Sequence, residues 1–153
     1  MKIIYHCFGG THSSVTAAAS HLGLLSRERK PHLRELLALP FFDTLEANEQ
    51  GNIILMGVDQ MGNEIYFTGR RSKPEYLENI LGGLAQSYHL PVNSYRLINV
   101  MPKVNLTMRI GGFLSRQCRW IKTGRPLVAL GTVWAYPAIT KLVRKALAKE
   151  SSG

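Results

Sequence analysis

Cysteine is scarce in this sequence. The 153 residues include only Cys7 and Cys118, which stand far apart and have no paired spacing. A secreted protein held together by disulfides, or a zinc site built on cysteine pairs, needs more cysteines at closer spacings. Those two classes are therefore excluded, and we expect neither a metal nor an organic cofactor.

Long apolar runs are also lacking. Only three apolar residues separate Lys2 from His6, too few for the core of a secretory signal peptide. The longest uncharged stretch near the C-terminus, residues 126–140, is interrupted by Gly131 and Pro137. It falls short of the roughly 18 apolar residues that a spanning helix needs. We therefore expect a cytoplasmic protein with no transmembrane segment.

Acidic residues nearly disappear from the last third of the chain. Residues 1–99 hold nine Lys or Arg and nine Asp or Glu, whereas residues 100–153 hold ten basic residues and one acidic residue, Glu150. The formal net charge of +9 is therefore concentrated in the C-terminal third. A one-sided basic surface either attracts phosphates, nucleic acid, anionic lipid or an acidic partner, or simply improves solubility.

The order of apolar patterns predicts an α/β protein. Strand-like runs occupy residues 2–7, 52–58, 63–69, 95–100 and 126–132. Helical spacing separates most of these runs, and residues 59–63 have the chemistry of a hairpin turn. We predict one domain over residues 1–150, with a disordered tail at 151–153. Its architecture is a mixed, mostly parallel sheet of about five strands with one β-hairpin and helices on both faces.

The helical patterns also predict which faces are buried. A short helix is expected between Pro31 and Pro40, and a longer one follows Ser72 and Glu75, which have capping-box spacing. The longer helix is expected to bury Leu77, Ile80, Leu81 and Leu84, and the last helix of the chain to bury Ile139, Leu142, Val143, Ala146 and Leu147.

Residues 104–122 predict an amphipathic basic helix, weakened or divided by Gly111 and Gly112. Its apolar arc is expected in the core and its basic arc in solvent. The apolar arc contains Leu106, Ile110, Phe113, Leu114, Trp120 and Ile121, and the basic arc contains Arg109, Arg116, Arg119 and Lys122.

The first strand leads into Cys-Phe-Gly-Gly-Thr-His-Ser-Ser, residues 7–14. A turn with two glycines can direct several backbone N–H groups to one point, and the following helix adds the positive end of its dipole. Such a loop binds anions and would stabilise the thiolate of a cysteine at its start. We therefore predict Cys7 as a nucleophile and His12 as a proton-transfer group. The predicted phosphate-binding residues of the loop are Gly9, Gly10, Thr11, Ser13 and Ser14.

The same residues also have a purely structural interpretation. A cysteine at a strand end is often a small buried apolar residue, glycines serve tight turns, and Ser13 or Ser14 can cap a helix. His12 can equally be an exposed polar residue. The loop lacks the lysine of a Walker phosphate loop and the third glycine of the Rossmann fingerprint.

A second basic element, Gly-Arg-Arg-Ser-Lys at residues 69–73, follows the third strand. Arg70 or Arg71 would supply a bidentate grip on a phosphate. Ligands bind at the carboxyl ends of parallel strands, so these arginines share an edge with Cys7 only if the first and third strands are parallel.

Residues 7–19 resemble the loop of low-molecular-weight protein tyrosine phosphatases. Cys7, Gly9 and Ser14 match that loop, whereas Ser13 occupies the position of its phosphate-gripping arginine. Those enzymes also use an aspartate late in the chain as general acid, and here Glu150 is the only carboxylate side chain after Glu78. The resemblance implies phosphate chemistry at a cysteine without the ordinary phosphatase cycle.

The loop is also similar to that of the cellobiose and lactose type IIB subunits of the sugar phosphotransferase system, in which a cysteine is itself phosphorylated. Cys7, Gly10, Ser13 and Ser14 match that pattern, and His12 replaces a serine. Over nearly its full length, the chain resembles an uncharacterised bacterial family catalogued as domain of unknown function 3189. That resemblance rests on residues 2–14, 62–72 and 124–132 and implies a small cytosolic protein without an established activity.

Two functions remain open at this stage. In the first, the Cys7 loop binds a phosphate-bearing small molecule or a phosphoprotein, or transfers a phosphoryl group through Cys7. In the alternative, the chain is a non-enzymatic interaction protein whose basic C-terminal third binds a polyanion, whether nucleic acid, an anionic membrane or an acidic partner. Binding that falls steeply with salt and is indifferent to replacement of Cys7 would favour the alternative.

Overall fold

The computed structural model describes residues 1–45, 49, 51–71, 73–91, 93–116, 118 and 120–150. The four strands are β1 (Lys2–Cys7), β2 (Ile54–Val58), β3 (Glu64–Gly69) and β4 (Tyr95–Asn99). The five α-helices are α1 (Ser13–His21), α2 (Leu33–Leu37), α3 (Pro74–Ser87), α4 (Leu106–Arg116) and α5 (Ile121–Glu150), and Met101–Lys103 form a 3₁₀ turn. The predicted tail at 151–153 lies outside the described residues.

The four strands form one mixed sheet in the order β2-β3-β1-β4. β1 is parallel to both β3 and β4, and β2 is antiparallel to β3. The predicted hairpin is confirmed. In its turn, Asp59 Oδ1 accepts hydrogen bonds from the amides of Met61 and Asn63 at 2.9 and 2.8 Å. The parallel pairing of β1 and β3 places Cys7 opposite Gly69, so the residues after both strands meet at one edge.

Both faces of β1 are buried: Tyr5 and Cys7 lie on one face and Ile4 and His6 on the other, and all four are buried. On one face, Tyr5 packs with Phe67 of β3 in the main core, where α1 contacts the sheet and α5 packs on α1. On the other face, α3 approaches β4: the position that a Cβ on Gly82 would take lies 3.8 Å from the hydroxyl of Tyr95. The predicted mixed α/β architecture with helices on both faces is confirmed.

A buried chain of hydrogen bonds ties the sheet to α1 and to the hairpin turn. The Tyr5 hydroxyl lies 2.8 Å from His21 Nδ1, and His21 Nε2 lies 3.1 Å from Asp59 Oδ2. These bonds hold α1 against β1 and thereby fix the position of the loop between them.

The predicted fifth strand is wrong. Residues 126–132 belong to α5, in which Val128 is fully buried and its carbonyl accepts a hydrogen bond from Thr132 Oγ1 at 2.8 Å. A short apolar run is compatible with either a buried strand or a buried helix, and periodicity alone does not separate them. The last turns of α5 agree with the prediction, since Ile139, Val143 and Ala146 are buried.

α5 is long and apolar enough, by length and composition, to cross a membrane over Ile121–Lys149. Half of its apolar window is buried inside the fold, as in the core helix of a globular domain. Tyr136 of α5 is buried, and its hydroxyl donates a hydrogen bond to the Ser26 carbonyl at 2.8 Å.

The predicted buried face of α3 is also wrong. None of its described residues is buried, and Ile80 and Leu84 are exposed. The helix begins at Pro74 after the N-cap residue Lys73, and the predicted capping residue Ser72 lies outside the described residues. α3 thus carries an apolar stripe that the remainder of the described chain leaves in solvent.

α4 is rotated relative to the prediction. It is continuous over Leu106–Arg116, and its buried residues are Met108, Gly111 and Ser115 rather than the large apolar ones. A Cβ on Gly111 would lie 2.4 Å from the backbone nitrogen of Val128 in α5. The glycine therefore allows two helix backbones to touch and does not divide the helix. Arg109 and Lys122 are exposed, as predicted, and Arg119 lies outside the described residues.

Candidate anion site at the Cys7 loop

The loop between β1 and α1 lies directly on the end of β3. Gly10 has φ +75°, and a Cβ there would lie 2.4 Å from the backbone nitrogen of Gly69. A Cβ on Gly69 would in turn lie 2.6 Å from the carbonyl carbon of Gly9. Glycine is required at both Gly10 and Gly69 because two backbone segments are in contact.

Backbone hydrogen bonds align the Arg70 segment with the loop. The Arg70 amide donates to the Cys7 carbonyl and the Arg71 amide donates to the Phe8 carbonyl, both at 3.0 Å. The sequence analysis expected Arg70 and Arg71 to share an edge with Cys7 only if β1 and β3 were parallel. The two strands are parallel, and both arginines lie at the same sheet edge as Cys7.

The thiol of Cys7 is buried and has two polar contacts. The Gly10 amide donates a hydrogen bond to Cys7 Sγ at 3.2 Å, and Ser14 Oγ lies 3.2 Å from the same sulfur. The Gly10 amide is the donor in the first contact, and either Ser14 Oγ or Cys7 Sγ is the donor in the second. Of the loop residues around it, Phe8 is exposed and Gly9 and His12 are partly exposed, so solvent reaches the loop from their side.

The N-terminus of α1 is uncapped by any described side chain. Its first turn, Ser13 to Thr16, contains no acidic residue. The first amides of a helix have no intrahelical acceptor, and the helix dipole makes this end positive. Thr11, Ser13 and Ser14 lie buried around it. The arrangement has the donors that an anion needs.

Asp43 is the main residue that the sequence analysis missed. Its carboxylate is buried. Asp43 Oδ1 lies 2.8 Å from His12 Nε2, and Asp43 Oδ2 accepts a hydrogen bond from Ser115 Oγ at 2.6 Å. Arg116 Nη1 donates to the Asp43 carbonyl at 3.1 Å, and its Nε lies 3.7 Å from Oδ1. Two residues of α4 therefore hold the partner of His12.

The backbone of Asp43 is fixed as firmly as its side chain. The residue has φ +57°, and its amide donates to the Thr11 carbonyl at 3.0 Å. Burial alone would raise the pKa of Asp43, but the hydrogen bond and charge of His12, with Ser115 and Arg116, lower it below its ordinary value. Asp43 is therefore ionised at neutral pH. No local pattern links residue 43 to residue 12, because two helices, α1 and α2, and the segment between them separate the two residues.

The side chain of Arg70 contacts His6. Arg70 Nε lies 3.2 Å from His6 Nδ1, and alternation along β1 places His6 on the face opposite Cys7. Burial, followed by the charge of Arg70, lowers the pKa of His6 to about 4. Arg71 is exposed and has φ +49°. Arg116 contacts the Asp43 side of the His12–Asp43 pair.

Within the described residues, no three His, Cys, Asp or Glu side chains are grouped so that they could hold a metal ion. The polar groups of this site are the thiol, the hydroxyls and amides of the loop, and the His12–Asp43 pair.

A family model described as a protein of unknown function, DUF3189, matches residues 2–148. The chain belongs to the DUF3189 family. The match covers both the Cys7 loop and the α4 residues that hold Asp43, so the whole candidate site lies within the DUF3189 region. Comparisons with curated proteins and with solved structures gave no match. The function of this DUF3189 chain is therefore argued from its own geometry.

Proposed function

We propose that the Cys7–Ser14 loop binds the phosphate group of a phosphorylated small molecule or phosphoprotein, and that Cys7 accepts the phosphoryl group. The observation that carries this proposal is the pair of contacts to Cys7 Sγ, from the Gly10 amide and Ser14 Oγ, at the uncapped start of α1. A buried cysteine with only a packing role needs neither contact.

The loop supplies anion binding without a charged side chain of its own. The amides that begin α1 point away from the helix body, and the dipole adds partial positive charge at the same place. Ser13 and Thr11 add hydroxyl donors, and Arg116 balances the negative charge of the Asp43 carboxylate beside His12. These neutral donors stand in place of the arginine that is absent at position 13.

The chemistry is a displacement at phosphorus. After the thiol proton has passed to solvent, a lone pair of Cys7 Sγ forms the S–P bond as the P–O bond to the donor's leaving group breaks. The leaving oxygen keeps that electron pair and takes a proton from His12. Asp43 positions the imidazole through Nε2, which leaves Nδ1, 3.3 Å from Thr11 Oγ1, as the nitrogen that exchanges the proton.

Acetyl phosphate, a small phosphoryl donor, tests the proposal directly. With Cys118 replaced by serine, intact-mass analysis should detect one added phosphoryl group, and peptide mapping should place it on Cys7. The additional Cys7→Ser substitution should abolish the thiol-linked adduct. Phosphate binding without an adduct would restrict the site to ligand binding, and the absence of both would contradict the proposed function.

A further inference from the structure

α4 has its large apolar residues on the outside. Leu106, Ile110 and Phe113 share one face, at the spacing i, i+4, i+7, and are 69%, 47% and 58% exposed. The opposite face, with Met108, Gly111 and Ser115, is the buried one. A helix that served only the core would have the reverse arrangement.

Two more exposed apolar residues lie at the junction between α4 and α5. The Trp120 amide donates to the Leu114 carbonyl at 2.9 Å, which places Trp120 beside the last turn of α4. Trp120 is 65% exposed and Ile121 is 53% exposed. We define the α4 outer face as these two residues together with the three apolar residues of α4.

The charged residues along α4 and along α5 up to residue 149 are all basic. Arg109 lies one helical turn from Phe113 and is exposed, and Lys122 is exposed beside Ile121. No acidic residue occurs between residues 100 and 149. Trp, Phe and Leu on one side of a short helix, with basic residues beside them, are typical of segments that lie in the plane of an anionic bilayer surface.

We infer that the α4 outer face docks the protein on an anionic lipid surface, with the apolar side chains inserted among the headgroups and Arg109 and Lys122 paired with lipid phosphates. Nucleic acid fits less well, because contacts to a phosphate backbone are made by basic and polar side chains rather than by Leu, Ile and Phe. The docking is peripheral, since half of the apolar window of α5 is buried in the fold.

Docking would bring the membrane close to the Cys7 loop. The inner face of the same helix supplies Ser115 and Arg116 to Asp43, and a Cβ on Gly112 would lie 3.3 Å from His12 Cε1. α4 therefore lies between the proposed lipid surface and the His12–Asp43 pair.

Co-sedimentation of the full chain with vesicles tests this inference. The protein should bind phosphatidylcholine vesicles that contain phosphatidylglycerol, bind pure phosphatidylcholine vesicles far less, and be released by salt. The double substitution Ile110→Ser and Phe113→Ser should weaken binding about tenfold or more. Arg109→Glu should weaken it about fivefold for each unit of charge removed.

A matched control is available on α3. Ile80→Ser with Leu84→Ser changes two apolar residues that are also exposed, 61% and 49%, but lie on a helix with Glu75 and Glu78. This variant should bind like the wild type, and thermal unfolding should show that all variants remain folded. Failure of the wild type to bind anionic vesicles would overturn the inference. It would favour an acidic protein or a second copy of the chain as the partner that covers the α4 outer face. Equal losses in the α3 and α4 variants, or binding that resists high salt, would also overturn it.

Discussion

His12 and Asp43 are 31 positions apart in the sequence, and their side chains lie 2.8 Å apart, with the Asp43 carboxylate buried. The contact joins the Cys7 loop to the segment after α2, and Ser115 and Arg116 join both to α4. Three distant parts of the chain therefore meet at one carboxylate.

Asp43→Asn should lower the free energy of unfolding by about 1–3 kcal/mol at neutral pH, because the buried hydrogen-bonding network loses the negative charge and one of its two acceptor oxygens. The pKa of Asp43 is lower in the folded chain than in the unfolded chain. Its contribution is therefore complete above about pH 3.9 and is lost as the pH falls through the lower folded value. Urea unfolding of both proteins across acid pH measures this; a deficit that stayed constant to the lowest pH would refute the assignment.

Gly10→Ala should destabilise the protein far more than Gly23→Ala. The two glycines have φ +75° and +76°, but a Cβ on Gly10 would meet the Gly69 backbone, whereas one on Gly23 has no atom within 4 Å. Gly23→Ala should cost about 1 kcal/mol for the backbone conformation alone, and Gly10→Ala about 2 kcal/mol or more beyond that. Equal costs in chemical denaturation would show that the loop does not lie against β3.

Alanine substitutions at Gly111 and Gly83 should change the stability of the protein in opposite directions. Gly83 is in the interior of α3 with open space around it, so alanine should stabilise the protein by about 0.5–1 kcal/mol. Gly111 touches the backbone of α5, so alanine there should separate the helices and destabilise it by about 1–3 kcal/mol. Thermal unfolding of the two variants checks this, and a stabilised Gly111→Ala protein would rule out the close helix contact.

His6 should titrate with a midpoint near pH 4. The imidazole NMR resonances of His6, recorded across acid pH, measure this midpoint. Since the folded pKa is below the ordinary value of about 6.5, the unfolded chain binds the proton first. Stability should therefore be complete above about pH 6.5 and fall as the pH decreases towards 4. His6→Asn should reduce this slope, and a midpoint near 6.5 would contradict the burial of the ring.

Local patterns in the sequence were sufficient for β1, the hairpin, α1 and the glycine loop, because each depends on residues adjacent along the chain. They were insufficient for α4 and residues 126–132, where the apolar pattern fits more than one packing. Close contact between the Gly111 and Val128 backbones decides the orientation of α4, and it is a tertiary effect. Asp43 was missed for the same reason, since its partners come from the Cys7 loop and from α4.

The most direct test of the central proposal is the rate of Cys7 alkylation, measured with Cys118→Ser in the presence and absence of inorganic phosphate. Phosphate bound at the Cys7–Ser14 loop should protect the thiol, so alkylation should slow as phosphate is added. A rate of Cys7 alkylation that phosphate does not change would show that the loop holds no phosphate next to the thiol and would contradict the proposed function.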